Sequence, residues 1–211
     1  MKLAFLSDIH GNLPALEIAI KEAGIVDGYI VLGDVVNYGP WSNECVQMID
    51  SLPHCIKIRG NHEDYFISGE SGCNNELSNE FFNHCYSDFS EFSLIKSYEL
   101  KKQFEDFICS HTLEERYVYK DTNITLNTNY IIGHSHQQYD IFRNGFRLLN
   151  PGSVGQNRKY INEINFMIYD TKLKEADLRS VLYDVSIVEH QMEKENYPEF
   201  CIDYYRNKPR K

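Results

Sequence analysis

A chain of 211 residues with 42% hydrophobic and 25% charged side chains has enough apolar material for a packed core, which excludes a largely disordered polypeptide. Its 31 acidic and 21 basic residues give a formal charge of −10 with no Lys/Arg cluster to offset it, so no extended nucleic-acid surface is expected. The opening MKLAFLSD is too short an apolar run for a signal peptide and no later run reaches membrane-spanning length; a cytoplasmic protein without membrane contact is expected.

KLAFLSD reads as a buried first strand. LPALEIAIKEAG places Leu13, Leu16, Ala19, Ile20 and Ala23 at helical spacing, with Pro14 in the first turn and Gly24 as the stop. GYIVLGD is a second strand, ECVQMIDSL a short helix over Glu44 to Leu52, and CIKIRG a third strand, an alternation that predicts βαβ units and a parallel sheet. From about Tyr65 to Phe107 the chain is rich in Asn, Ser, Glu, Phe and Tyr. This stretch is longer than an ordinary crossover and reads as a partly helical rim insertion, closed by FEDFICS as a strand. YIIG, YDIFRN, FRLLN and INFMIYD follow as short strands, and Asn144-Gly145 marks a hairpin that makes Tyr139 to Leu149 antiparallel. LYDVSIVEHQMEK and PEFCIDYYRNK read as a helical tail. Residues 1–211 are taken as one domain. The cysteines at 45, 55, 73, 85, 109 and 201 form no CxxC pair and read as reduced core thiols.

The strands end on an unusual set of polar residues. Ser7-Asp8-Ile9-His10, Gly33-Asp34, Gly60-Asn61-His62, Ser110-His111 and Gly133-His134-Ser135-His136 each follow an apolar run, and the carboxyl edge of an open α/β sheet is where ligands bind. Alone, Asp8 fits a helix cap, His10 a loop histidine, and Asp34 and Asn61 turn residues. Together they form a chemically complete set. Asp8 and His10, like His134 and His136, are two residues apart, so in extended backbone each pair shares a side. Mixed carboxylate and imidazole ligands suit Mn, Fe, Zn, Co or Ni, and seven candidates exceed the needs of one ion, so two are implied. His54, His84 and His190 lack such context.

The order DIHGN, GDVVNYGP, RGNHE, SHT and GHSH resembles the calcineurin-like metallophosphoesterase superfamily, and most closely its small bacterial and archaeal phosphoesterase branch, which also tends to carry NPGSVG, here Asn150 to Gly155. The resemblance covers nearly the whole chain. It implies two mixed β-sheets packed face to face and flanked by helices, a four-layer α/β/β/α sandwich. It also implies that Asp8, His10 and His136 hold one metal, that Asp34 bridges, and that Asn61, His111 and His134 hold the second. The ions are transition metals, divalent or mixed-valence, with manganese first and Fe, Zn, Ni or Co as alternatives. His62 approaches the leaving group, Asn37 sits beside it, Arg59 contacts phosphoryl oxygens, and Asn12 faces the bound phosphate.

The reaction implied is hydrolysis of small or nucleotide-like phosphoesters, phosphodiesters first, by attack of a metal-bridging hydroxide. The alternatives are a phosphomonoesterase, a serine/threonine protein phosphatase, a dinucleoside polyphosphate hydrolase and a non-catalytic interaction scaffold; the scaffold reading suffers because neither the bridging carboxylate nor the GNH histidine is lost. Where protein phosphatase relatives carry GDxVDRG, this chain has Asn37 and Tyr38, which weakens the phosphoprotein reading. The partner expected is a small phosphorylated substrate, with nucleotides among the options. The aromatic residues Tyr65, Phe66, Phe81, Phe82, Tyr86, Phe89 and Phe92 read first as a local core under the rim and second as a surface for stacking a base.

Overall fold

The computed structural model describes residues 1–72 and 75–211. Cys73 lies outside the described residues, and the other five cysteines are free thiols. The chain runs β1 (Lys2–Leu6), α1 (Leu13–Ala23), β2 (Gly28–Val31), α2 (Ser42–Ser51) and β3 (Cys55–Lys57), then three helices, α3 (Asn61–Ser68), α4 (Glu76–Ser87) and α5 (Phe92–Lys96). Seven strands follow: β4 (Lys101–Phe104), β5 (Phe107–Ser110), β6 (Asn129–Ile131), β7 (Tyr139–Arg143), β8 (Phe146–Asn150), β9 (Glu163–Asp170) and β10 (Glu175–Leu182). Helices α6 (Ser186–Lys194) and α7 (Glu199–Arg206) close the chain.

These strands form two mixed sheets of five, ordered β10-β9-β1-β2-β3 and β4-β5-β6-β8-β7. Strands β1, β2 and β3 are parallel neighbours, as are β5, β6 and β8, so their carboxyl ends emerge side by side in each sheet. The continuous burial of β1 beyond Lys2 and of β2 reflects their place inside the first sheet, covered on both faces. Phe5, Ile30, Leu32, Phe107, Ile131 and Met167 fill the space between the sheets. On the other face of the first sheet, Leu16 and Ala19 of α1 and Val46 and Ile49 of α2 join a second core with α6 and α7. Helices thus flank two mixed sheets, as the sequence led us to expect. Over the second sheet, part of the outer layer comes from residues 113–128, where Val118, Ile124 and Leu126 pack on Ile132, Tyr139 and Leu148.

One expectation needs correction, and one strand lies where none is expected. FEDFICS is not one strand: Glu105 and Asp106 form the turn of a β4–β5 hairpin in which Phe104 pairs with Phe107, and Glu105 takes a positive φ of 50°. Helices α6 and α7 form the expected tail, but the EADLRSVL segment before it, to which the sequence reading assigns no element, forms edge strand β10 against the full length of β9. Its Glu, Asp and Arg face solvent on an edge, so it lacks the apolar run that marks the inner strands. The Asn144-Gly145 hairpin has both residues at positive φ, as a tight primed turn requires. The rim aromatics Phe66, Phe81, Phe82 and Phe89 are buried in the helical core, which settles their role as packing; Tyr65 alone of the seven reaches the cleft described below.

Two loops fix the carboxyl edge. Residues 150–155 lie under the turn after β1: the Val154 N–H donates to Ser7 O (2.9 Å), the Gly155 N–H to Asp8 O (3.1 Å) and the Ser153 hydroxyl to Asp8 O (2.7 Å). A Cβ on Gly155 would come within 1.7 Å of Ile9 O, so this contact requires glycine. Glu63, fully buried, accepts N–H bonds from Asp34 (2.9 Å), Val35 (2.7 Å) and Gly60 (2.7 Å), and so ties the end of β2 to the end of β3. Gln at this position replaces an acceptor oxygen with a donor that faces these N–H groups. E63Q is therefore expected to lower unfolding stability by about 2–3 kcal/mol in denaturant titrations. A loss below about 0.5 kcal/mol would show that the carboxylate does not hold the two strand ends together.

Candidate metal centre

The polar residues at five strand ends converge at this edge. Asp8 and His10 follow β1, Asp34 follows β2, Asn61 and His62 open α3 just after β3, His111 follows β5, and His134 and His136 follow β6. Ligand atoms of Asp8, His10 and His136 lie within 4.8 Å of one another, as do those of Asp34, His111 and His134, and a third such group joins His10, Asp34 and His62. Within the first group His136 Nε2 is 3.3 Å from both Asp8 Oδ1 and His10 Nε2. In the second, His111 Nε2 is 3.1 Å from Asp34 Oδ2, Asn61 Oδ1 and His134 Nδ1.

These spacings suit metal ions. At a ligand distance of about 2.1 Å, neighbouring donors stand about 3.0 Å apart in an octahedron and about 3.4 Å apart in a tetrahedron. Asp34 lies between the groups. Its Oδ1 accepts the His62 backbone N–H at 3.0 Å, while Oδ2 faces His111 Nε2 on one side and His10 Nε2, 4.0 Å away, on the other. Two imidazoles are oriented from behind: His111 Nδ1 donates to Leu32 O and His136 Nδ1 to Gln156 O, both at 2.6 Å, which leaves each Nε2 free to ligate. Asp8 is held by the Ser7 hydroxyl (2.7 Å) and the His134 N–H.

The backbone that achieves this is not extended. Asp8, His10, Asp34, His134 and His136 have φ of 52, 49, 53, 64 and 55°, in the left-handed region that non-glycine residues seldom occupy. Sharp turns rather than strand alternation aim Asp8 and His10 into one ligand group, and they send His134 and His136 into different groups, which corrects the expectation that each pair shares a side.

Of the remaining site positions, His62 is buried and its Nδ1 lies 2.9 Å from Asn37 Nδ2. Arg59 lines the cleft with Nε 3.0 Å from Asp64 Oδ1. Asn12 does not face the cleft. It caps α1 by accepting the Ala15 N–H, and its amide donates to Gly155 O (3.0 Å) and Tyr183 Oη (2.8 Å), so its polar atoms are already engaged in buried bonds and it is not a substrate contact. The sequence reading overlooked other wall residues of this cleft of about 940 Å³, notably Tyr117, Arg158, Tyr204 and Lys208. Tyr117 stacks on His134, with ring centroids 4.1 Å apart and planes 12° from parallel. None of these residues belongs to a motif that ends an apolar strand.

A sequence profile described as the calcineurin-like phosphoesterase superfamily domain matches residues 1–174. The chain belongs to this superfamily. An uncharacterised Methanocaldococcus jannaschii protein is 30% identical, with 94% of each chain covered. The Escherichia coli phosphodiesterase YfcE is 36% identical over 73 residues, which is 29% of this chain and 39% of that one. A metallophosphoesterase from Sphaerobacter thermophilus shares the fold at a TM-score of 0.79 and 22% identity, covering 98% of this chain and 99% of its own. The superfamily match and the clustered ligands together make this calcineurin-like protein a metal-dependent hydrolase with a dinuclear site for divalent ions. No helix among the described residues is long and apolar enough to cross a membrane.

Protonation of the metal-free site follows from the same geometry. Burial lifts the Asp8 carboxyl to about 7. Burial also opposes charge on Asp34, but the adjoining His111 wins and holds that carboxyl well below its usual range. Against its own burial, His111 is raised to about 10 by Asp34, whereas burial lowers His134 to about 4 and His136 to about 3. The last two are thus neutral and ready to ligate near pH 7, while His111, and Asp8 in part, must first lose a proton. Loading with divalent ions is therefore expected to release protons, with affinity rising from pH 6 to 8. Calorimetric titrations in buffers of differing ionisation enthalpy measure this directly; proton uptake, or affinity that rises as pH falls, would contradict the assignment.

Proposed function

We propose that the protein hydrolyses small or nucleotide-like phosphoesters, phosphodiesters in the first instance, with manganese as the preferred ion. The observation that carries this reading is the single oxygen of Asp34 facing both ligand groups at the base of an open cleft. In this reading Asp8, His10 and His136 hold one ion, Asn61, His111 and His134 the other, and Asp34 bridges. Two divalent ions, when bound, supply positive charge for the phosphoryl oxygens and acidify water. Asn37 orients His62, whose ring N–H is placed for the departing oxygen, and Arg59 borders the same space. A relative named as a phosphodiesterase, the Escherichia coli protein, supports the diester preference. A small substrate is also supported by Asn37 and Tyr38, which provide neither the carboxylate nor the guanidinium found in protein phosphatase relatives. The five free thiols fit a reducing, cytoplasmic setting.

The test is turnover of a panel of aryl and nucleotide diesters, monoesters and a folded phosphoprotein, after separate reconstitution with Mn, Fe, Co, Ni, Zn and Mg. The expected result is highest kcat/KM for a diester with Mn. Equal or better turnover of the phosphoprotein would overturn the substrate assignment, and turnover independent of added metal would overturn the centre.

His62 has a more specific signature. H62A is expected to retain metal and to lose about a hundredfold or more in kcat for esters with alkoxide leaving groups, the range seen when a hydrogen-bond donor to a developing oxyanion is removed. The loss should shrink for nitrophenolate, which departs without help. Equal losses across leaving groups of differing pKa would remove His62 from this role.

A further inference from the structure

The cleft holds more positive charge than the phosphoryl centre explains. Arg158 and Lys208 both line it, on a chain whose net charge is −10. Among the described residues neither has a carboxylate within ion-pairing distance, whereas Arg59 is neutralised by Asp64 at 3.0 Å. The cleft's other outlying carboxylate, Glu115, pairs with neither cation.

Each cation is held by aromatic rings rather than by acids. The Arg158 guanidinium lies 4.7 Å from the centroid of Tyr117, and its Nη1 donates to Tyr119 Oη at 3.4 Å. Because Tyr117 also stacks on His134, the guanidinium is tied through one ring to a candidate metal ligand. Lys208 follows α7, with its ammonium 4.7 Å from the centroid of Tyr204, and Tyr204 packs against Tyr38 at the cleft wall. These contacts orient the charges without an ion pair; Arg158 also hydrogen-bonds Tyr117, and the buried Asp8 carboxylate favours its charge from beyond ion-pairing distance. The two cations also repel each other: Arg158 adds to burial in lowering the Lys208 ammonium below its ordinary range. An anion between them relieves that repulsion. A cleft of about 940 Å³ also exceeds what a bare phosphoryl group fills.

We propose that Arg158 and Lys208 form an anion subsite beside the metal centre, and that the substrate is a phosphoester carrying a second negatively charged group, carboxylate or phosphate, on the part that lies along this wall. This inference rests on the phosphoesterase reading of the same cleft and adds the charge of the substrate's distal end. Arg158 is a specificity residue in this account.

The test uses two matched series of p-nitrophenyl diesters, alkyl phosphates and ω-carboxyalkyl phosphates of two to six carbons, with the metal-loaded full chain. Wild-type protein is expected to favour the carboxylates by about tenfold or more in kcat/KM at one or more chain lengths, mainly through KM, as a charge-assisted contact allows. R158Q and K208Q should each reduce the preference, the double variant should remove it, and R158K should restore part of it. Calorimetric binding of non-hydrolysable alkyl- and ω-carboxyalkylphosphonates is measured beside turnover. Absence of any carboxylate preference in the wild type, or a preference that survives in the folded double variant, overturns the subsite. Failure of every ester to turn over, with the binding preference intact and lost in the double variant, overturns the hydrolase reading and leaves the subsite standing.

Discussion

The buried carboxylate of Glu63 is the constraint from which the centre follows. An acidic group taken out of water is costly, and Glu63 offsets that cost by accepting backbone N–H groups from the ends of two neighbouring strands. Those N–H groups belong to the turns that carry Asp34 on one side and Asn61 with His62 on the other. The burial and the hydrogen bonds oppose each other: burial and the nearby Asp34 lift the Glu63 carboxyl to about 7, while the N–H donors favour its ionised form. Positive charge brought to Asp34 removes one of the two influences that raise it. Metal binding and the integrity of these turns are coupled through this one side chain.

The left-handed backbone at Asp8, His10, Asp34, His134 and His136 makes the same point at the level of single residues. Each such conformation costs of order 1 kcal/mol or more for a residue with a Cβ. The surrounding bonds maintain it: His10 N–H to Asp34 O at 2.9 Å, Asp8 N–H to Gly33 O at 3.0 Å, and residues 150–155 packed beneath. Local strain at the ligands is thus supported by ordered loops that carry no ligand themselves. The rim differs in kind. Tyr204 and Lys208 come from α7 and the residues that follow it, beyond residue 174 where the family profile ends, whereas Tyr117 and Arg158 lie within the matched region, so this wall of the cleft is built from both parts of the chain.

Much of this was legible in the sequence, for identifiable reasons. The inner strands are continuous apolar runs, and a polar residue that ends such a run must lie at the sheet's edge; Asp8, Asp34, Asn61, His111 and His134 could be placed together on that basis. Edge strand β10 was not legible, because its alternation of Asp177, Arg179 and apolar residues depends on a partner strand for its meaning. Asn12 was misread because a short polar side chain after a strand looks the same whether it meets a ligand or caps the next helix. Arg158 and Lys208 were missed because their importance lies in what they do not pair with, and an unpaired charge has no signature in one dimension.

The contact between Asn37 and His62 carries a last consequence. Asn37 Oδ1 already accepts the Tyr38 N–H at 2.7 Å, so the amide must turn its Nδ2 toward His62 Nδ1, 2.9 Å away. An N–H group directed at Nδ1 requires a lone pair there, which leaves the ring proton on Nε2 and fixes the tautomer. Adding a proton to form imidazolium would set two N–H groups against each other, and burial disfavours the cation in the same direction. An aspartate in this place would do the reverse, accepting from Nδ1 and favouring the charged ring. The substitution that separates this chain from the protein phosphatase pattern therefore makes His62 a neutral hydrogen-bond donor of fixed orientation.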